Sequence, residues 1–325
     1  MKYSKRIALL LALVMVAALS FGCAQQGVVA PTEAPVSTEK PTATFAPTPE
    51  STAIAVTDMA GRAVTLDAPA EKIVALTAAD CEILYAIGAG DKLVGRGEYC
   101  NYPEEILSVP TVQSGNETNI EQIIALQPQL VILSIMAQTK EQVSALEAAG
   151  IKVFASDAQN IEGVYEGIAL IGQLVGKSAE AEVVVGQMKA SFATIAAKVT
   201  GNGEKTVYFE VSPLQYGLWT AGKGTFMDEI ATMLGLKNAF ADVTGWGEVS
   251  EEQVIERDPD YIVTVAMYFG EGYTPVEEIL SRKGWENMQA IKNDAVYNAD
   301  SNEISFPGPR LVNAAEALYT FVYGG

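Results

Sequence analysis

Histidine is absent from the sequence, and basic residues are scarce in it. The 325 residues include 21 Lys and Arg against 40 Asp and Glu, which gives a formal net charge of −19 at pH 7. Without histidine the chain lacks the commonest transition-metal ligand and the commonest general base, which argues against histidine-bound metal sites and triad hydrolases. The acidic excess leaves no basic patch for a phosphate backbone, so nucleic acid is not an expected partner.

Enzyme motifs are also lacking. The stretch GKGT at residues 222–225 is only a fragment of a phosphate-binding loop, because the rest of the Walker pattern is missing. No serine stands in a G-x-S-x-G elbow, and no histidine is present to activate one. Catalysis and a purely structural role are therefore remote alternatives, and the sequence favours a binding protein that needs no cofactor.

The N-terminus has the pattern of a targeting signal. Three basic residues precede an apolar run at residues 7–18, and small Gly22 comes directly before Cys23. This order predicts a secretory signal peptide at residues 1–22, cleaved so that Cys23 becomes the lipidated first residue. A signal anchor or an ordinary cleavage site is the alternative, but the apolar run is short for a membrane span. We therefore expect an extracytoplasmic protein that is lipid-anchored to the cell membrane.

Residues 23–52 form the next segment, which is rich in Pro, Thr, Ser and Ala and has almost no large apolar side chain. Such a segment cannot bury enough apolar surface to fold, so it is predicted to be a linker. A lipid at one end of a flexible linker keeps the folded part near the membrane, which suggests capture or delivery of a ligand.

From residue 53 onward, short β-branched runs alternate with helical patterns. The alternation predicts strands and helices in turn over residues 53–178, a long helix over residues 179–199, and a second alternating set over residues 200–325. Such alternation is typical of a parallel sheet covered by helices. The sequence thus predicts an α/β protein whose N-terminal and C-terminal lobes are joined by one long helix.

A short pattern occurs once in each predicted lobe. NIEQIIALQPQLVI at residues 119–132 and SEEQVIERDPDYIV at residues 250–263 match at an offset of 131 residues, with Glu121 opposite Glu252. The apolar positions and the proline indicate only that both lobes are built alike. An exposed glutamate adds nothing to a core, although it favours a helix N-terminus through the dipole. The two glutamates therefore suit a partner that is itself a pair.

The folded region resembles a known family. It is similar to the substrate-binding lipoproteins of ABC importers for cobalamin, iron siderophores and haem in the stretches VTDMAGRAVTL, KIVALTAADCEILYAIGAGDKLVGRGEYCNYP, NIEQIIALQPQLVI, TAGKGTFMDEIATMLGL, GWGEVSEEQVIERDPDYIV and SNEISFPGPRL. The resemblance implies two Rossmann-like lobes with parallel sheets, joined by a long backbone α-helix, with the ligand held between the lobes. It also implies delivery to a permease dimer with a cytoplasmic ATPase. From the repeated pattern we hypothesise that Glu121 and Glu252 form salt bridges with arginines of the two permease subunits. We expect the protein itself to be a monomer.

The resemblance further implies which residues bind the ligand. Aromatic residues that follow successive predicted strands already suggest a site for a large, flat ligand. The family's ligand-binding positions correspond here to Tyr99, Trp219, Trp246 and Arg310. The remaining predicted positions are Ala79 and Asp80, after the first strand of the alternation, and Tyr102, in the loop of Tyr99. Packing under loops is the alternative for the aromatic residues, and a surface position at a helix start is the alternative for Arg310.

Cobalamin or another corrinoid is the ligand that the resemblance favours first. Two further aromatic positions of the cobalamin binders are Gly115 and Ser134 here, so a ferric siderophore or haem is the alternative. Haem iron would be ligated by Tyr99 or Tyr102, with Arg96 near by to lower the tyrosine pKa. Otherwise no direct metal ligand is expected, and the acidic excess favours neutral or cationic ligands.

Cys81 and Cys100 follow the first two strands of the predicted N-terminal sheet. An extracytoplasmic location would permit a disulfide bond between them. Two free buried thiols are the alternative.

Overall fold

The computed structural model describes residues 53–324 except residues 136–137 and 202. The predicted signal peptide at residues 1–22, the lipidated Cys23 and the linker at residues 23–52 lie outside the described residues. Among the helices that are described, none combines the length and apolar character needed to cross a membrane.

A β-hairpin and a five-stranded sheet form the N-terminal lobe. Its strands are β1 Ile54–Thr57, β2 Ala63–Leu66, β3 Ile73–Ala75, β4 Leu93–Gly97, β5 Thr111–Val112, β6 Leu130–Leu133 and β7 Lys152–Ala155. Its helices are α1 Ala78–Ala86, α2 Ile120–Ala125, α3 Lys140–Ala148 and α4 Ile161–Leu174. Strands β1 and β2 pair antiparallel, and the other five form a wholly parallel sheet in the order β5-β4-β3-β6-β7. The N-terminal lobe thus has the parallel sheet that the alternation predicts.

A six-stranded mixed sheet forms the C-terminal lobe. Its strands are β8 Thr206–Ser212, β9 Trp219–Ala221, β10 Lys237–Asn238, β11 Trp246–Glu248, β12 Tyr261–Thr264 and β13 Val296–Asn298. Its helices are α6 Phe226–Met233, α7 Glu251–Arg257, α8 Pro275–Leu280, α9 Gln289–Lys292, α10 Ser301–Ile304 and α11 Leu311–Tyr323. The order is β11-β9-β8-β12-β13, with β10 also paired to β8.

The expected parallel sheet is wrong for this second lobe. Strands β8, β10, β12 and β13 are parallel, whereas β9 runs antiparallel to both β8 and β11. The chain reverses after β8 through a 3₁₀ turn at Leu214–Tyr216 and through Gly217, whose φ of 86° lies in the region that favours glycine. Strand β9 has only three residues and shows no usable periodicity, so it could not be predicted from the sequence.

A long helix, α5 at Ser178–Lys198, joins the two lobes. Its buried side chains recur every three or four residues and form one apolar stripe, at Ala181, Val184, Met188, Phe192 and Ile195. Helix α5 packs against α4 of the N-terminal lobe and against α11 of the C-terminal lobe. One cluster of buried side chains therefore extends through both lobes.

Candidate functional site

A cavity of about 410 Å³ lies between the lobes, and we call it the floor cavity. Its N-terminal wall consists of short side chains that follow β3, β6 and β7, at Thr77, Ala79, Ser134, Ser156 and Asp157. Its C-terminal wall is mainly apolar and aromatic, at Val211, Phe226, Met227, Trp246, Val265 and Phe306. The cavity thus lies at the carboxyl ends of parallel strands, where open α/β sheets bind ligands.

Trp246 links the aromatic wall to the opposite lobe. Its ring packs on Phe226 with centroids 5.3 Å apart, and its Nε1 donates a hydrogen bond of 3.0 Å to Oε1 of Gln159. The backbone nitrogen of Phe226 also donates to the carbonyl of Gln159, at 3.0 Å. Close by, the nitrogen of Ile161 donates to the Glu229 carboxylate at 2.7 Å. These bonds hold the two lobes together beside the floor cavity.

Asp80 lies beneath the N-terminal wall rather than on its surface. Thr77 caps helix α1 by accepting a hydrogen bond from the nitrogen of Asp80, and its hydroxyl donates to Oδ2 of Asp80 at 2.5 Å. The Asp80 side chain is fully buried, and its Oδ1 has no partner among the described residues. Burial raises the pKa of this carboxyl to about 6, although hydrogen bonds with Thr77 and Ser156 act in the opposite direction. Asp80 can therefore take up a proton in mildly acidic solution.

A second cavity, of about 920 Å³, opens beside the floor cavity within the C-terminal lobe, and we call it the annex cavity. The two cavities share part of their lining, at Val211, Val265, Ser305 and Phe306. The annex cavity is otherwise lined by aromatic rings and carboxylates, among them Tyr216, Tyr268, Phe269, Glu271, Tyr273 and Glu278. It offers flat apolar faces and hydrogen-bond acceptors in one place.

A buried ion-pair network supports the annex cavity. Arg282 bonds Glu210 through both oxygens, at 2.6 and 2.9 Å, and bonds Glu278 at 2.6 and 3.0 Å. Its guanidinium also lies 4.5 Å from the ring centre of Trp285. Burial disfavours the charge of Arg282, but the two carboxylates outweigh burial and raise the pKa of the guanidinium. The positive charge of Arg282 is thus paired inside the C-terminal lobe.

Two of the predicted ligand-binding residues meet each other outside these cavities. Arg310 at the start of α11 bonds Glu82 of helix α1 through both oxygens, at 2.5 and 3.0 Å. The same guanidinium lies 4.2 Å from the ring centre of Tyr102. All three residues line a hollow of about 530 Å³. The positive charge of Arg310 is therefore paired across the lobes.

The other predicted positions divide between the floor cavity and the protein surface. Ala79 and Trp246 line the floor cavity. Tyr99 is exposed, and so is Trp219 at the start of β9. Neither is among the described residues that line the three cavities. The structure thus brings Ala79, Asp80 and Trp246 to one place, and Tyr102 and Arg310 to another.

A sequence profile described as that of the periplasmic binding proteins matches residues 73–303, which is more than half of the chain. The chain belongs to the periplasmic binding protein family. It is accordingly a binding protein rather than an enzyme.

Individual relatives match most of this periplasmic binding protein. An ABC transporter substrate-binding lipoprotein of Bacillus subtilis is 35% identical over 276 residues, which are 83% of this chain and 85% of that protein. A vitamin B12-binding protein of Salmonella choleraesuis is 30% identical over 77% of this chain and 89% of its own length. The apo structure of a periplasmic haem-binding protein from Roseiflexus sp. RS-1 is 25% identical, with a TM-score of 0.68 over 78% of this chain and 98% of that chain. The family places this protein outside the cytoplasm as the partner of a permease and an ATPase.

The two repeated helices of this periplasmic binding protein are equivalent in structure. Glu121 and Glu252 are each the second residue of a short helix, α2 or α7, and both are exposed. In α2 the side chain of Asn119 accepts from the nitrogen of Gln122 at 3.1 Å. In α7 the corresponding bond joins Ser250 and Gln253 at 3.3 Å. Hydrogen bonds with its own backbone and with Ser250 lower the pKa of Glu252, so that this carboxylate is charged at neutral pH.

The equivalence extends to both ends of each helix. Ile124 and Ile255, three residues after the glutamates, are 38% and 37% exposed. After each helix one residue adopts positive φ, Gln127 at 51° and Asp258 at 41°, before a buried proline. The two lobes therefore present the same local surface.

Arg96 and the two cysteines are buried in the N-terminal lobe. Arg96 donates to the carbonyl oxygens of Cys100 and Val109, at 2.8 and 3.2 Å, so its side chain holds the loop that carries Tyr99. Cys81 and Cys100 form no disulfide bond with each other and are free thiols, as in the alternative that the sequence left open. Hydrogen bonding with Cys100, together with burial, raises the pKa of the Cys81 thiol.

Sequence reasoning missed several residues that shape the site. Gln159, Phe226, Glu82 and Arg282 each acquire their role from a partner that is far away in sequence. A usable signal existed for Gln159 and Phe226, because Gln159 follows a parallel strand and Phe226 follows the turn that ends β9.

Proposed function

We propose that this protein captures a metal chelate between its lobes and delivers it to an ABC permease, and that the chelate is cobalamin or another corrinoid. The observation that carries the proposal is the floor cavity, which has small side chains on one wall and the rings of Phe226 and Trp246 on the other. A flat macrocycle can lie against such rings while its edges reach polar groups of the N-terminal wall. The vitamin B12-binding relative supports this ligand.

Binding of a complete chelate also fits the donor groups. Within the described residues, no three side chains of the Cys, Asp or Glu type converge to hold a metal ion, and the sequence has no histidine. A ferric siderophore or haem is the alternative, with Tyr99 or Tyr102 as the iron ligand in the case of haem. The exposed phenol of Tyr99 favours that alternative, because the tyrosine is accessible to a ligand.

Delivery requires a partner that contacts both lobes. We propose that Glu121 and Glu252 form ion pairs with arginines of the two permease subunits, since they occupy equivalent exposed positions at the starts of α2 and α7. Lipidation at Cys23 would hold the monomer near the permease, as the lipoprotein name of the Bacillus relative suggests. The bonds of Gln159 with Trp246 and Phe226 favour a small rocking motion of the lobes over a wide hinge.

The test is a titration of the purified protein with cyanocobalamin, haemin and a ferric hydroxamate. The chain has three tryptophans, of which Trp246 lines the floor cavity and Trp219 lies outside it. A corrinoid should quench tryptophan fluorescence saturably. Trp246→Phe should remove more of the quenching than Trp219→Phe, which changes a predicted ligand-binding residue outside the floor cavity. Saturable binding of haemin alone, with a Soret shift that disappears in Tyr99→Phe or Tyr102→Phe, would replace cobalamin by haem.

A further inference from the structure

The annex cavity is larger than the floor cavity, and it belongs to the C-terminal lobe alone. Its volume is about 920 Å³ against about 410 Å³ for the floor cavity. The two join at Ser305, whose hydroxyl oxygen is buried and has no partner among the described residues. A chelate that lies against the rings of the floor cavity therefore has the annex cavity on one side. The annex cavity suits a group that projects from that side of the chelate.

Aromatic rings dominate the mouth of the annex cavity. Tyr216, Phe269 and Tyr273 are 77%, 85% and 69% exposed, although each carries a large apolar ring. Three such rings in one cavity form an apolar patch of the kind that marks binding sites on soluble proteins. Their faces suit the stacking of a flat heterocycle.

The charge of the annex cavity excludes an anionic group. The cavity is lined by Glu210, Glu271 and Glu278, and the guanidinium of Arg282 lies behind them. Three carboxylates and one guanidinium leave a net charge of about −2. Of the described residues that line the cavity, none is Lys or Arg. An anion would therefore be repelled, whereas amine and hydroxyl donors would find acceptors in the exposed Glu271 and in Glu278.

We infer that the annex cavity holds a neutral, aromatic, hydrogen-bond-donating group of the nucleoside class that projects from one face of the bound chelate. Its base stacks on the rings of Phe269 and Tyr273, and its amino and hydroxyl groups donate to Glu271 and Glu278. This inference rests on the proposed function, because it assigns a second part of the same cargo. It implies that the protein prefers a corrinoid with a nucleoside on its upper face over one with a small axial ligand.

The test compares two corrinoids that differ in that group. The full protein is titrated under red light with adenosylcobalamin and with cyanocobalamin. Since stacking of one base on an aromatic side chain corresponds to about tenfold or more in affinity, adenosylcobalamin should bind about ten times more tightly. Phe269→Ala and Glu271→Lys should each reduce this ratio towards one and leave the Kd for cyanocobalamin within about twofold. Glu182→Lys, which makes the same charge change on helix α5, is the control and should keep the ratio.

The outcomes separate the two proposals. Equal affinities of the wild type for both corrinoids, or a ratio that survives both annex variants, would overturn the inference and leave the proposed function standing. Binding of neither corrinoid would overturn the proposed function and the inference with it. A tenfold ratio that both annex variants remove and Glu182→Lys keeps would establish the annex cavity as the nucleoside site.

Discussion

The two walls of the cleft differ, although the two lobes are built alike. The N-terminal wall consists of small side chains such as Ala79 and Ser156, whereas the C-terminal wall presents the rings of Phe226 and Trp246. The annex cavity, with its further rings and carboxylates, belongs to the C-terminal lobe as well. Under the proposed function, this difference predicts that the C-terminal lobe makes most of the aromatic contacts with the ligand.

The lobes also differ in how they bury a carboxylate beside the cleft. Glu210 of the C-terminal lobe is paired through both oxygens with Arg282. Asp80 of the N-terminal lobe has the hydroxyl groups of Thr77 and Ser156 beside it rather than a cation, and its Oδ1 has no hydrogen bond in the part of the chain that the structure describes. The stability of the fold around Glu210 therefore depends on its ion-pair partner, whereas the stability around Asp80 depends on pH. The two carboxylates predict different responses to mutation and to pH.

The largest effect is expected from Arg282→Met. Removal of the guanidinium leaves Glu210 buried and unpaired, which typically lowers the free energy of unfolding by about 3–5 kcal/mol. Urea unfolding followed by circular dichroism measures the loss. The double variant Glu210→Gln with Arg282→Met should recover much of it, because the carboxylate that still lacks its partner, Glu278, is partly exposed to water. Lys283→Met, at an exposed neighbouring position, is the control. A loss below about 1 kcal/mol would mean that water reaches Glu210.

The next effect concerns pH and Asp80. Its carboxyl has a pKa of about 6 in the folded protein against an ordinary value of 3.8, so between these pH values the folded state binds a proton that the unfolded state does not. Stability from this group therefore rises as pH falls from 6 to 3.8, by about 3 kcal/mol for the shift of roughly two units.

Asp80→Asn should remove this contribution. The difference in free energy of unfolding between wild type and variant, measured in urea at several pH values, should move in favour of the wild type as the pH falls. Asp91→Asn, at an exposed aspartate of the same lobe, is the control and should show no such trend. A pH-independent difference would show that Asp80 does not take up the proton in the folded state.

Helices α2 and α7, which carry Glu121 and Glu252, should respond alike to mutation, because the two lobes present the same local surface there. Glu121→Lys and Glu252→Lys should weaken binding to the reconstituted permease to the same extent, since a hydrogen bond to a charged group contributes about 1.5–3 kcal/mol. The double variant should abolish uptake while the affinity for the ligand stays unchanged. The matched controls are Glu117→Lys and Glu256→Lys, which make the same charge change at exposed neighbouring positions. Strongly unequal effects of the two single variants would reject a symmetric docking surface.

The sequence predicted the fold in the places where its signals are periodic. The two α/β lobes and the family are confirmed, and the long helix is present as α5 with bounds shifted by one residue. The mixed second sheet was missed, because the reversal at Gly217 leads into a strand of only three residues. Short antiparallel strands leave no pattern that could be separated from a loop.

The site was less accessible to sequence reasoning, because side-chain pairing depends on tertiary structure. Arg310 was interpreted as a ligand anchor, and that role stays a prediction, but its partner in the structure is Glu82, 228 residues away along the chain. Trp246 was predicted to bind the ligand from the resemblance, and that role also stays a prediction, whereas its hydrogen bond with Gln159 depends on tertiary structure. Residue types pointed to the cleft, and only the structure shows which of them are already paired.

The smallest effect is expected at the hydrogen bond between Trp246 and Gln159, which joins the two walls of the cleft. Trp246→Phe keeps a ring against Phe226 but removes the donor to Gln159, so the free energy of unfolding should fall by about 1 kcal/mol. A double-mutant cycle with Gln159→Leu, followed by circular dichroism in urea, isolates the pair and should give a coupling of about 0.5–1.5 kcal/mol. A coupling near zero would mean that water replaces the bond freely and that packing alone holds the lobes at this edge. Since the same indole lines the floor cavity, a measurable coupling would also predict that ligand binding and lobe contact compete for one side chain.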